Sequence, residues 1–78
     1  MREKKPALVV TFDTTAAAME AERRCQELGL PGRIIPVPRE ITAGCGLAWK
    51  APPEAEEQIR TALQESSLSW AAMEVLML

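Results

Sequence analysis

The sequence predicts an α+β fold, a two-layer sandwich with two helices on one face of a four-stranded, mainly antiparallel sheet. Short apolar, partly β-branched runs alternate with segments rich in Ala, Glu and Arg, in the order strand, helix, strand, strand, helix, strand. A proline also falls inside the second strand, and proline is confined to sheet edges. These observations indicate the ferredoxin-like arrangement, which places the first and third strands in the centre of the sheet.

The first strand and helix are predicted from adjacent segments. Ala7–Phe12 is an apolar run typical of a strand that is covered on at least one face. A helix is then expected over residues 15–28, and Gly29 is expected to end it at the C′ position. Residues suited to cap the start of this helix are Asp13, Thr14 and Thr15.

The buried face of the first helix is predicted from apolar residues at helical spacing. Cys25 belongs to this face, and we expect it to be a small buried hydrophobe, because free cysteine is among the most buried residue types. The whole predicted face consists of Ala18, Ala21, Cys25 and Leu28.

The second and third strands are expected on either side of a glycine-containing turn. The segment 33–38 is extended, and Pro36 assigns it to a sheet edge because proline cannot donate to the ladder. The third strand is expected around 47–51. Pro52 and Pro53 end it, and Pro53 suits the first turn of the second helix.

The second helix is predicted to run to about Glu65, with glutamates in its first turn where the helix dipole favours them. The last strand is predicted over 70–78, with Glu74 on the face opposite its apolar residues. The fold of TusA-type sulfur carriers has a similar series of elements, and periodicity alone does not separate the two. Predicted inward residues of the helix are Ala55, Ile59, Ala62 and Leu63, and the apolar strand face is Ala71, Met73, Val75 and Met77.

Length and charge limit the functions to consider. The 78 residues predict one small domain over 1–78, with 1–5 as a mobile tail. A net charge of −2 gives no electrostatic reason to expect nucleic acid binding. The sequence shows no signal peptide and no apolar run of the ~20 residues that span a bilayer. We therefore expect a cytoplasmic protein without membrane contact.

The content of reactive side chains argues against an autonomous enzyme. The chain has no histidine and two cysteines, so histidine-based catalysis is excluded. No ligand cluster predicts a metal, and no motif predicts an organic cofactor. A Cys25–Cys45 disulfide is not expected in a cytoplasmic protein. A carrier or accessory protein fits this composition better than an enzyme.

Gly44-Cys45-Gly46, here named the glycine turn, combines a reactive atom with an adaptable backbone. Neither glycine carries a side chain that would shield the sulfur, and both can adopt positive φ. Backbone amides at such a turn could form an anion nest, while Arg39 and Lys50 flank it in sequence as candidate charge partners for a thiolate.

Residues 36–48 resemble the V-P-R-x-I-x-x-x-C-G-L-A signature of a small bacterial selenium/sulfur carrier-like family. The resemblance extends upstream to Val10-Thr11-Phe12 and the first helix, although only the central run is specific. Thr42 takes a position where the family has serine, which keeps the hydroxyl. The resemblance implies a role in selenium or sulfur metabolism, with a cysteine desulfurase or a TusA/SirA-type protein as partner.

Two functional hypotheses follow for Cys45. In the first, Cys45 is the carrier thiol, which accepts sulfane sulfur or selenium as a persulfide or selenosulfide. The binding residues would then be Gly44, Gly46, Thr42, Arg39 and Lys50. In the second, Cys45 is structural, and the protein is a small-ligand-binding domain or a homodimerising adaptor. Apolar candidates for a dimer contact are Trp49, Trp70, Met73 and Met77.

Overall fold

The computed structural model describes residues 4–38 and 44–78. The strands and helices are β1 (Pro6–Thr11), α1 (Thr15–Glu27), β2 (Arg33–Pro36), β3 (Leu47–Ala51), α2 (Glu56–Glu65) and β4 (Ala72–Met77), with a single 3₁₀ turn at Pro53–Ala55. All three strand pairings are antiparallel, and the strand order is β2-β3-β1-β4. This α+β sandwich has the predicted ferredoxin-like order, with β1 and β3 in the centre.

The core lies between the helices and one face of the sheet. Val10 of β1 is opposite Trp49 of β3, and both side chains are buried. Because successive residues of a strand point to opposite faces, Leu8 shares the helix side with Val10. The remaining core residues include Phe12, Ala18, Ala21, Cys25, Ile59 and Leu63.

Helix α1 begins as predicted but buries a shorter face than predicted. Thr14 is its N-cap residue, and its Oγ1 accepts a hydrogen bond from the Ala17 N–H at 3.0 Å. The predicted residues Ala18, Ala21 and Cys25 are buried. The prediction for Leu28 is wrong, since its side chain is 46% exposed. Leu28 is the C-cap, where the chain turns away from the helical spiral.

Both helices end in the same hydrogen-bonded motif. Gly29, at φ +69°, occupies the predicted C′ position of α1, and the next residue, Leu30, donates its N–H to Cys25. At the end of α2 the left-handed position is held by Ser67, at φ +57°, and Leu68 donates to Leu63. The predicted buried residues of the second helix, Ala55, Ile59, Ala62 and Leu63, are all buried.

The two edges of the sheet differ in their side chains. Strand β2 pairs only with β3, so Pro36 lies at an edge as predicted. Strand β4 forms the other edge and is shorter than the predicted 70–78. Its apolar face is the predicted one, but only Met73 packs against the core, whereas Val75 and Met77 are 47% and 55% exposed.

The chain ends of the described structure meet beside β4. Lys5 exchanges two backbone hydrogen bonds with Leu78, at 2.8 and 2.9 Å, and these extend the β1–β4 ladder by one residue pair. Of the predicted mobile tail, residues 1–3 lie outside the described part. Among the described residues, no helix has the length and apolar character needed to cross a bilayer.

Candidate functional site

The glycine turn is attached to the end of β1 and to the chain after β2. Cys45 donates its backbone N–H to the carbonyl oxygen of Phe12 at 2.9 Å. The carbonyl oxygen of Gly46 accepts a hydrogen bond from Val37 N–H at 3.0 Å. The turn is therefore held from two sides by backbone contacts, which fix the position of the Cys45 side chain relative to the core.

The two glycines of the turn have similar backbone angles and different surroundings. Gly44 has φ +85° and Gly46 has φ +90°, both in the region that L side chains rarely adopt. A Cβ at Gly44 would overlap the carbonyl oxygen of Phe12, whereas a Cβ at Gly46 would meet no atom of the described residues within 4 Å apart from its neighbours in the chain. Gly44 thus permits close approach of two backbone segments, and Gly46 has no such contact within the described part.

The Cys45 side chain lies partly in solvent and partly against the core. It is half-buried, packs against the hydrophobic cluster, and its Sγ makes a weak hydrogen bond to the Leu47 carbonyl oxygen at 3.9 Å. Cys25, in contrast, is 1% exposed, and burial raises the pKa of its thiol. Both cysteines are free. Cys45 is therefore the thiol that an external reagent can reach.

The glycine turn also lies beside the beginning of α1. Its anchor, Phe12, precedes the first residue of this 13-residue helix by three positions, and the cap Thr14 lies between them. The fold thus anchors the turn that carries the free thiol to the segment that leads into α1.

The sequence-predicted site residues fall in different parts of the molecule. Gly44, Cys45 and Gly46 lie together in the turn. Arg39 and Thr42 lie outside the described residues, so their predicted contributions stay predictions. Lys50 is three residues beyond Leu47 along β3, about 10 Å away at the rise of a strand. The structure does not bring Lys50 together with the thiol.

The family model described as "Putative Se/S carrier protein-like" matches residues 7–73. The chain belongs to this family. The match includes the glycine turn and runs from β1 into β4, which confirms the predicted resemblance. No curated protein and no solved structure matches the chain.

In this Se/S carrier-like protein, Lys50 takes part in a different feature. Lys50 pairs in register with Arg33 on β2 and with Val9 on β1, on the face of the sheet that the helices do not cover. Its side chain lines a cleft together with Arg33 and Lys5. The alternation of side chains along a strand shows which residues of β2 share a face and which residues of β3 do. That Arg33 and Lys50 lie directly opposite each other is known only from the strand register.

Proposed function

We propose that this protein carries sulfur or selenium on the Sγ atom of Cys45, as a persulfide or selenosulfide, and passes the atom to a partner protein. The observation that carries the proposal is the contrast in access between the two thiols, since Cys45 is partly exposed and Cys25 is buried. Membership of the Se/S carrier-like family supports the class of cargo.

The proposed loading step is a transfer between sulfur atoms. The Cys45 thiolate attacks the outer sulfur of a donor persulfide, R–S–SH, so that a new Cys45 S–S bond forms and the S–S bond of the donor breaks. The donor leaves as the thiolate R–S⁻, and the transferred sulfur keeps its proton. A donor R–S–SeH would load selenium in the same way. Neither version needs an external oxidant or reductant, because the donor thiolate is the leaving group.

The glycine turn suits such a transfer between proteins. A donor sulfur must approach the Cys45 Sγ in line with the bond that breaks, and the partial exposure of Cys45 supports such an approach. The contact of Gly44 with Phe12 holds the turn, so the sulfur stays at the surface while the backbone is fixed.

The donor in this proposal is a protein persulfide of the kind that a cysteine desulfurase forms, and a TusA/SirA-type protein is a candidate for the acceptor. The protein itself would act as an accessory carrier rather than as an enzyme. Arg39 and Thr42 retain their proposed places as binding residues around the turn. For Lys50, the position at the other end of β3 favours a separate role.

Intact-mass spectrometry tests the proposal directly. The protein is incubated with a cysteine desulfurase and cysteine, and its mass is measured without reductant. We expect an increment of one sulfur atom, which dithiothreitol removes, because a persulfide is reduced by thiols. The Cys45→Ser variant should show no increment. The Cys25→Ala variant, which also lacks one thiol, is the matched control and should keep it.

The alternative hypothesis predicts a different set of results. If Cys45 is structural, neither desulfurase-derived sulfur nor a selenium donor adds mass to the folded protein. The contact of Cys45 with the hydrophobic cluster then becomes its main role, and Cys45→Ser lowers the free energy of unfolding. A protein that takes up sulfur equally on Cys25 and Cys45 would also contradict the proposal, because it would indicate uptake by an unfolded chain.

A further inference from the structure

A cleft lies at the end of the sheet opposite the glycine turn. Strand β3 ends at Ala51, whereas the extended chain of β1 continues back to Lys5, where it is still hydrogen-bonded to Leu78. The difference in strand length leaves a gap between the beginnings of β1 and β2. The cleft has a volume of about 730 Å³. Its lining includes Lys5, Ala7, Arg33, Lys50, Ala51 and Pro52.

Three basic residues line this cleft together with Leu78, and none of the three forms an ion pair with a described residue. Among residues 4–38 and 44–78, no carboxylate oxygen lies within 4.0 Å of the charged nitrogens of Lys5, Arg33 or Lys50. Other arginines of the same part of the chain do have acidic partners: Arg23 contacts Glu20 and Glu27 at 2.8 Å. The lack of such partners at the cleft is therefore a local property and not a general shortage of acids.

The strand register places two like charges side by side in this cluster, with Glu74 on the same face beyond Val9. Arg33 and Lys50 are directly opposite each other on adjacent strands and share one face of the sheet. Like charges in that position destabilise a sheet. Lys5 has the same strand parity as Ala7 and Val9 and so adds its charge on that face. An anion placed among the three side chains would remove the repulsion.

A buried indole group behind the cleft wall also lacks a hydrogen-bond acceptor. The Trp49 Nε1 atom is buried and has no partner among the described residues. It lies against Gly32, a residue of the cleft wall, so closely that a Cβ at Gly32 would be 2.5 Å from it. The indole N–H is thus a buried donor next to a residue that lines the cleft.

We propose that this basic cleft binds a small organic anion, in which a phosphate or carboxylate group is attached to an apolar body. The three cations would neutralise the acid group, and Arg33 can offer two parallel N–H donors to it. The exposed residues Pro6 and Pro52 supply apolar contact for the rest of the molecule. The volume is in the range of ligand pockets, about 300–1,000 Å³. The proposal is independent of sulfur transfer at Cys45.

Titration of ¹⁵N-labelled protein at low salt, followed by NMR, tests this site. The probes are phenyl phosphate, benzoate, inorganic phosphate and uncharged benzyl alcohol. We expect saturable shifts for phenyl phosphate or benzoate at the amides of Gly32, Arg33 and Ala51 and at the Trp49 indole. The stronger of these two probes identifies the acid group. Inorganic phosphate should bind more weakly because it lacks the apolar body, and benzyl alcohol should not saturate.

Three variants decide whether the cleft causes the binding. Arg33→Gln and Lys50→Gln should each raise Kd about tenfold, because each removes one charged hydrogen bond. Lys4→Gln is the matched control: Lys4 is an exposed neighbour of Lys5 outside the cleft lining, and its loss should change Kd less than twofold. Cys45→Ser should bind as the unmodified protein does, which separates this test from the test of the carrier function.

Several results would overturn the proposal. Shifts that rise linearly to the highest probe concentration, or that appear equally around Arg23, would indicate general ion screening. An equal Kd for the Lys4 and Lys50 variants would place binding elsewhere. If a glutamate-rich peptide binds more tightly than phenyl phosphate in a competition experiment, the cleft binds an acidic protein segment and not a small ligand.

Discussion

Cys25 and Cys45 contact the same hydrophobic core, and yet the backbone gives them opposite chemical environments. Cys25 lies in the last turn of α1 on the face that packs into the core, and burial raises the pKa of its thiol. Cys45 lies on a turn whose two flanking residues have no side chains, and part of it is in solvent. Access to a thiol in this fold therefore depends on the element that carries it more than on its distance from the core.

The largest expected difference between the two cysteines is in their rates of alkylation. With iodoacetamide at pH 7, we expect Cys45 to react roughly a thousandfold faster than Cys25, because Cys25 requires opening of the structure at a cost of about 4 kcal/mol. Peptide mapping of a time course measures both rates. In denaturant the difference in rate should disappear. A difference below tenfold in the folded protein would contradict the conclusion that Cys45 is accessible and Cys25 is not.

The next effect concerns the two glycines that expose Cys45. Gly44→Ala should lower the free energy of unfolding by about 3 kcal/mol or more, because both the positive φ and the overlap with Phe12 oppose a Cβ. Gly46→Ala is the matched control, with a similar φ and open space, and should cost about 1–2 kcal/mol. Urea denaturation measures both values. Equal losses would show that the contact with Phe12 does not hold the turn.

Serine substitution at the two cysteines should produce a smaller difference in the free energy of unfolding. Cys25→Ser should cost about 1–3 kcal/mol, because it buries a hydroxyl without a prepared partner. Cys45→Ser should stay within about 0.5 kcal/mol of the unmodified protein, as for other partly exposed positions. Thermal unfolding at one pH measures the pair. A larger loss at Cys45 than at Cys25 would support a structural role for Cys45.

The smallest expected effect is a change of stability with pH. Burial raises the pKa of folded Cys25, so the unfolded chain releases this proton first, at a pKa of about 8.5. The contribution of the thiol to stability is complete below that pH and is lost as pH rises through the raised folded-state value. Urea denaturation at several pH values from neutral to alkaline should show this decline. Cys25→Ala should make the free energy of unfolding fall less steeply with pH. If the decline is unchanged in this variant, other titrating groups cause it.

Local signals in the sequence were sufficient for much of the fold. Thr14 and Gly29 mark the two ends of α1 because capping depends on adjacent residues. Pro36 places β2 at an edge because proline has no N–H to donate to a neighbouring strand, whatever the sheet. The exposure of Leu28 is not predicted by helical spacing, because this residue is the C-cap and the helix has ended there.

The candidate site was only partly predictable because it depends on contacts between distant segments. The composition of the glycine turn identified Cys45, but the requirement for Gly44 comes from Phe12, which is far away in sequence. Sequence distance alone places Lys50 beside the turn. Its pairing with Arg33, and hence its place in the basic cleft, depends on the β2–β3 register.

The central position of β1 has a consequence for the order in which the sheet can assemble. Of the four described strands β1 is made before the others, and it pairs with β3 on one side and with β4, the last of the four, on the other. Contacts so distant in sequence form late, since a long loop must close before they contribute. Until residues 72–77 have been made, one side of an apolar strand has no partner and can pair with another chain. Completion of β4 is thus also the step that protects the nascent protein from aggregation.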